Sequence, residues 1–244
     1  MKKILYIFPI LLLLQLSVQA QKLTILTEIS PPGNFTENGQ LKGIGVEIVN
    51  GILKRIHEDI QIKIRPWARA YKELKNKPNV ALFSTTRTAS RENLFKWVGP
   101  LFEVQWIFVS KKANNIKITS LEDAKKVKKI GVYRDDARDQ FLREQGFTNL
   151  HTSVKPEHYV KMLLANKLDL ISTTNIGLKS LCDRLEIPLN EFSVVYIMKT
   201  YQLYIAFSRQ TSDEIVQKWD KAYQELKKEG VIKKVNEKWL GSWQ

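Results

Sequence analysis

From residue 22 onward, short β-branched runs alternate with stretches whose apolar residues recur at helical spacing. That alternation calls for an α/β fold, a sheet covered by helices on both faces. Residues 22–27, 61–64 and 80–84 read as strands. Between them Val49, Ile52, Leu53 and Ile56 follow the i, i+3, i+4, i+7 rule and predict a helix ending near His57, and residues 68–75 predict another. Pro31-Pro32-Gly33-Asn34 and Glu37-Asn38-Gly39 are loop and turn signals.

The second half repeats the alternation with clearer punctuation. Thr119 with Glu122 spells a capping box, in which hydroxyl and carboxylate satisfy each other's orphan amides. Strands follow at 129–133, 150–154 and 168–172, the last read as buried. Helices are expected at 136–145, stopped by Gly146, from Pro156 to about Asn166, and over 177–185. Thr211 and Glu214 spell a second capping box, after which Ile215, Trp219, Ala222, Tyr223 and Leu226 share one face until Gly230. Ile232, Val235 and Trp239 continue on a last short helix. No repeat, low-complexity tract or linker divides the chain, so two lobes would have to be joined by strands. Residues 104–109 and 201–207 are long and apolar enough to do so.

The first twenty residues add a destination. Met1, Lys2 and Lys3 precede an apolar run from Ile4 to Leu14, and Val18-Gln19-Ala20 offers short side chains where a signal peptidase reads them. This is the pattern of a secretory signal peptide cleaved after Ala20, and the run is about half of the roughly 20 residues a spanning helix needs. No cysteine follows it, so a lipid anchor is not expected. The net charge of +14 falls to +12 without Lys2 and Lys3. Export makes nucleic acid an improbable partner for that surplus, and lysines scattered along helical stretches read first as solvated faces. The single cysteine, Cys182, permits no internal disulfide and lies on one helical face with Leu178, Leu181 and Leu185.

A search for chemistry returns little. His57, His151 and His158 fit no metal-ligand or nucleophile spacing, and Gly43-Ile44-Gly45 lacks the third glycine of a dinucleotide fingerprint because Ile48 stands there. No cofactor or metal is implied. What stands out is a polar and aromatic cluster where strands end: Pro66-Trp67-Ala68-Arg69-Ala70-Tyr71, and Ser84 to Glu92, which includes Thr86, Arg87 and Arg91. Arginine pairs bidentately with carboxylates and tryptophan offers a flat apolar face, so the cluster can cradle an anion. Equally, its arginines can cap helices or pair with Glu28, Glu92 or Glu103.

These segments also carry a likeness. Thr27-Glu28-Ile29-Ser30-Pro31-Pro32 with Gly39-Gln40-Leu41-Lys42-Gly43, Thr88-Ala89-Ser90-Arg91 with Phe95 and Pro100, Leu168-Asp169-Leu170, and Lys228-Glu229-Gly230-Val231-Ile232 with Lys238-Trp239-Leu240-Gly241 follow in order along the chain. In that order and spacing the chain resembles the family 3 extracellular solute-binding proteins, which deliver polar amino acids to ABC permeases. The resemblance implies a type II periplasmic binding protein fold. Residues 21–107 and 204–244 would form one lobe and residues 108–203 the other, each a mixed sheet flanked by helices, with a two-strand hinge. It implies a periplasmic, monomeric, non-enzymatic binder that closes on a small polar ligand, with an ABC permease as partner.

By position, Arg91 matches the family's carboxylate-gripping arginine, Ser84 and Thr86 its supporting hydroxyls, and Glu28 its acid after the first strand. Trp67 falls near the aromatic wall, and Arg134, Asp135, Asp136 and Ala137 match a loop whose amides face an anionic group at a helix N-terminus. The family's second-lobe carboxylate, which receives an amino acid's ammonium, is replaced by Thr174-Asn175. Gly33 replaces an aromatic. Two other roles share the fold: a sensory binding protein that reports to a membrane partner, and an enzyme of the cyclohexadienyl dehydratase kind, for which Glu28 would be the acid and the pattern supplies no partner carboxylate.

Overall fold

The computed structural model describes residues 22–241. The signal sequence and its cleavage point lie outside the described residues. Eight strands and their helices divide into two groups on two shared strands. The first group comprises β1 (Thr24–Thr27), the β2 (Phe35–Glu37) and β3 (Gln40–Lys42) hairpin, α1 (Ile44–Arg55), β4 (Ile62–Ile64), α2 (Trp67–Asn76) and β5 (Val80–Thr86). β6 (Phe95–Lys111) then leads into α3 (Leu121–Lys125), β7 (Ile130–Tyr133), α4 (Ala137–Glu144), β8 (Leu150–Ser153), α5 (Pro156–Leu164), β9 (Leu170–Thr174) and α6 (Asn175–Leu185). β10 (Phe192–Ser208) returns to the first group, where α7 (Asp213–Lys228) and α8 (Val231–Leu240) end the described chain.

The sheet order is β4-β1-β5-β10-β6-β9-β7-β8. β1 runs parallel to β4 and β5, and β7 parallel to β8 and β9, while β6 and β10 are antiparallel to each other and to their outer neighbours. Both shared strands are 17 residues long, which at about 3.3 Å per residue is roughly 55 Å. One end of the pair carries β5 on β10 and the other end carries β9 on β6. The two sheets expected of the two halves are therefore one ladder, because the crossing strands never break. Their register slips at Val194/Tyr196, Ile197/Lys199 and Leu203/Ile205, bulges that bend the pair.

Each half has apolar layers on both faces of its sheet. In the first, Ile25, Phe83 and Phe207 meet α1, α7 and α8, whereas Leu26, Leu82 and Ala206 meet α2. In the second, Val109 and Ile171 face Leu163, Leu181 and Cys182, and Phe108 and Leu170 face Ala124 and Leu142. Neighbours along a strand point to opposite faces, so a strand covered on both sides reads as a continuous apolar run. α7 buries Trp219 and Tyr223, whose hydroxyl donates to the Pro100 carbonyl at 2.6 Å.

Local differences from the sequence reading have identifiable causes. The reciprocal cap before α3 is Ser120 with Asp123, not Thr119 with Glu122; Thr119 donates to the same Asp123 carboxylate. Before α7 the cap is Ser212, because Thr211 is turned inward and bonds Ser208 at 2.9 Å. β9 begins two residues later than expected because the Asp169 carboxylate binds the Lys129 amide. It runs on to Thr174, so Asn175 opens α6. The turn signalled at Glu37-Asn38-Gly39 closes a hairpin from Phe35 to Lys42, with Asn38 and Gly39 both at positive φ in its two-residue turn. Gly43, at φ 121°, brings the start of α1 against the Pro-Pro loop; a Cβ there would lie 2.6 Å from the Pro32 carbonyl oxygen.

Candidate ligand-binding site

Where the two groups of elements meet across the β6–β10 pair, a cleft of about 900 Å3, its open mouth included, lies between the C-terminal ends of β1 and β5 on one side and those of β7 and β9 on the other. Strand ends leave amides, carbonyls and loop side chains facing outward, which is why α/β sheets bind ligands there. Its apolar walls include Trp67, Phe102, Val104, Trp106, Ile176 and Leu203. Phe102 reaches the space beside Gly33: a Cβ on Gly33 would stand 2.9 Å from the Phe102 ring.

The first wall is built on β1, α2 and the end of β5. Between Leu82 and Thr85 the β5 register slips against β10, and Ser84 takes φ 58°. This bulge turns Ser84 out of the ladder, and its hydroxyl donates to the Asn34 side-chain oxygen at 2.8 Å. Arg91 is 1% exposed. Its guanidinium lies over the rings of Tyr71 and Trp67, at 4.7 and 5.4 Å, and donates to the Thr86 carbonyl and to the Gln140 side-chain oxygen. Among the described residues no carboxylate pairs with it, and burial holds it below the usual arginine range.

The second wall comes from the β7–α4 turn, β9, α5 and α6. Asp136 caps α4 by accepting from the Arg138 and Asp139 amides, and it also forms an ion pair with the Arg138 guanidinium. The Arg138 Nε is buried with no hydrogen-bond partner among the described residues. Thr174 caps α6, its hydroxyl accepting from the Gly177 amide at 2.9 Å. Arg184, one of the cleft's lining residues, pairs with Glu157 at 2.7 Å. The buried Tyr159 hydroxyl is pushed up to about 12, chiefly by desolvation.

Hydrogen bonds cross the cleft directly. Trp67 Nε1 donates to the Asp135 carbonyl at 2.9 Å, the Tyr133 hydroxyl donates to Glu28 at 3.2 Å, and Arg91 donates to Gln140. The two walls are therefore in the closed arrangement. Closure takes Glu28 out of water and sets it near Asp136, and together these push its carboxyl up to about 8 against the opposing pull of Tyr133 and Arg138. A group with that value is largely protonated at neutral pH. Tyr133 is raised in turn, first by burial and then by Glu28.

Of the residues singled out by sequence, Glu28, Trp67, Ser84, Thr86, Arg91, Asp136, Ala137 and Thr174 line the cleft. Arg87 lies outside it, forked onto Glu92 and placed over Trp97 and Tyr204. Arg134 is exposed and not part of the wall. Asn175 is turned to the hinge, where its side-chain oxygen takes the Gln105 amide at 3.1 Å. The sequence reading missed Tyr133, Arg138, Tyr159 and Arg184. Helical spacing could have found one of them: Arg184 stands two turns after Gly177 on the face that carries Ser180 and Leu181 into the cleft.

Comparison with known proteins places this arrangement. Among solved structures, a histidine kinase sensor domain with similarity to periplasmic binding proteins superposes with a TM-score of 0.80 at 18% identity, over 90% of this chain and 96% of that one. An ancestral arginine-binding protein bound to glutamine gives 0.76 at 25% identity, over 90% and 98%. A probable histidine-binding protein of Neisseria gonorrhoeae is 26% identical over 106 residues, 43% of this chain but 39% of that protein, so the match spans well under half of that relative. Residues 23–242 match the family of bacterial extracellular solute-binding proteins, family 3. That span takes in both wall systems, both crossing strands and the cleft between them, and the chain belongs to that family.

Proposed function

We propose that this protein is a periplasmic receptor, exported by a signal peptide cleaved after Ala20, that captures a small carboxylate-bearing ligand by closing two lobes and presents it to an ABC-type permease. It acts as a monomer and performs no chemistry on the ligand. Lobe 1 comprises residues 21–107 and 204–244, lobe 2 residues 108–203, and closure bends β6 and β10 where their neighbours change. The observation that carries this reading is Arg91, a buried guanidinium on the cleft whose partners are a carbonyl and an amide rather than a carboxylate. A buried charge without a counter-charge is costly, so a ligand carboxylate would relieve it. Ser84, Thr86 and Trp67 support the ligand from the same lobe, and Ala137 and Thr174 meet it from the other on closure. The histidine-binding relative and the arginine- and glutamine-associated structure are consistent with an amino acid or a related acid.

Replacing Arg91 by alanine removes charge-assisted hydrogen bonds of about 1.5 to 3 kcal/mol, which weakens a carboxylate ligand at least tenfold. Calorimetry on a variant shown to be folded tests this, and unchanged affinity would overturn the assignment. A sensory role keeps the site and replaces the permease with a membrane partner. The likeness to a kinase sensor domain favours considering it. Uptake of ligand in cells lacking the protein separates the two roles.

A further inference from the structure

We propose that the cleft takes a small carboxylic acid with an apolar body and no free ammonium beside its carboxylate. This rests on the reading that the cleft receives a carboxylate at Arg91. An ammonium in a closed cavity needs a carboxylate or several converging oxygens, and the two carboxylates that line the cleft, Glu28 and Asp136, each already accept from protein donors. The Asp136 carboxylate takes two α4 amides and the Arg138 guanidinium. Thr174, at the end of β9, gives its hydroxyl to the α6 cap. Glu28 accepts from Tyr133, and desolvation further favours its neutral form.

Charge points the same way. Three guanidiniums line the cleft, those of Arg91, Arg138 and Arg184. Asp136 pairs with Arg138 and Glu157 with Arg184. Glu28, buried at the cleft and bonded to Tyr133, is favoured in its neutral form, so Arg91 is the cation left without an ion pair, and one carboxylate neutralises it. An α-amino acid would bring a second positive charge into the same enclosed space, and a cationic amino acid a third. The unpartnered Nε of Arg138 is one more donor suited to an anion or a carbonyl oxygen. Trp67, Phe102, Val104, Trp106, Ile176 and Leu203 would surround the rest of the ligand with apolar surface.

The test compares three amino acids with their deaminated counterparts by calorimetry on the purified protein: L-histidine with imidazolepropionate, L-arginine with guanidinovalerate, and L-phenylalanine with phenylpropionate. In each pair that binds, the deaminated acid should bind at least tenfold more tightly. Thr174→Asp keeps a helix cap through one carboxylate oxygen, since aspartate serves there as well as threonine, and leaves the second oxygen as an acceptor, so the preference should narrow or reverse in the variant. If the amino acids bind as well as or better than their counterparts and Arg91→Ala abolishes both, the receptor reading stands and this inference falls. If neither class binds, the carboxylate reading of the cleft falls and takes the inference with it.

Discussion

Replacing Glu28 by glutamine keeps the side chain's shape and its acceptor for Tyr133 while removing its proton equilibrium. The carboxyl is raised from 4.5 to about 8 by burial and by Asp136 across the cleft. Between those values the folded, closed protein holds a proton that the unfolded chain has released. Folding therefore takes up a proton, and stability falls as pH rises from 4.5 towards about 8, then levels off. At about 1.4 kcal/mol per pH unit the upper bound on this loss is about 5 kcal/mol. Glu28 keeps some surface facing the cleft, so water screens it and the loss expected is about 2 kcal/mol. Urea denaturation of the ligand-free protein from about pH 5 to about pH 9, with and without Glu28→Gln, reads it directly. Every other titrating group is common to both proteins and cancels in the difference. The wild type should lose about 2 kcal/mol relative to the variant across that window. Parallel curves would refute the claim that closure buries a protonated Glu28.

Further outcomes follow from contacts elsewhere in the fold. Trp67→Phe removes the indole donor to the Asp135 carbonyl, which keeps a second donor in Gln140. The closed form should weaken by about 0.5 to 1.5 kcal/mol, seen as a larger radius of gyration in solution scattering without ligand; an unchanged radius would show that this bond does not hold the lobes together. Trp219→Ala empties the core beneath α7, where the indole is fully buried against Phe207. It should cost about 3 to 5 kcal/mol in chemical denaturation.

The periodicity of the chain by itself determined the alternation of strands and helices, the apolar faces of α1 and α7, and the helix start at Pro156. These depend on spacing and on backbone restrictions that act within a few residues. The likeness in motif order led to Arg91, Glu28, Asp136 and Thr174 as cleft residues. Only the tertiary structure decided what each was free to do. Arg87 and Arg91 stand four residues apart and look alike in sequence, yet one is taken by Glu92 at the surface and the other is buried without a carboxylate. Thr174 and Asp136 look like ligand groups until helix capping is seen to engage both. Arg138 carries no local signal, because its place in the cleft depends on how α4 packs against the second half of the sheet. The raised carboxyl of Glu28 depends on burial at the closed cleft and on Asp136, more than a hundred residues away in sequence. Charge and hydrogen bonding in a cleft are properties of distances between segments, and those distances exist only once β6 and β10 have brought the two halves together.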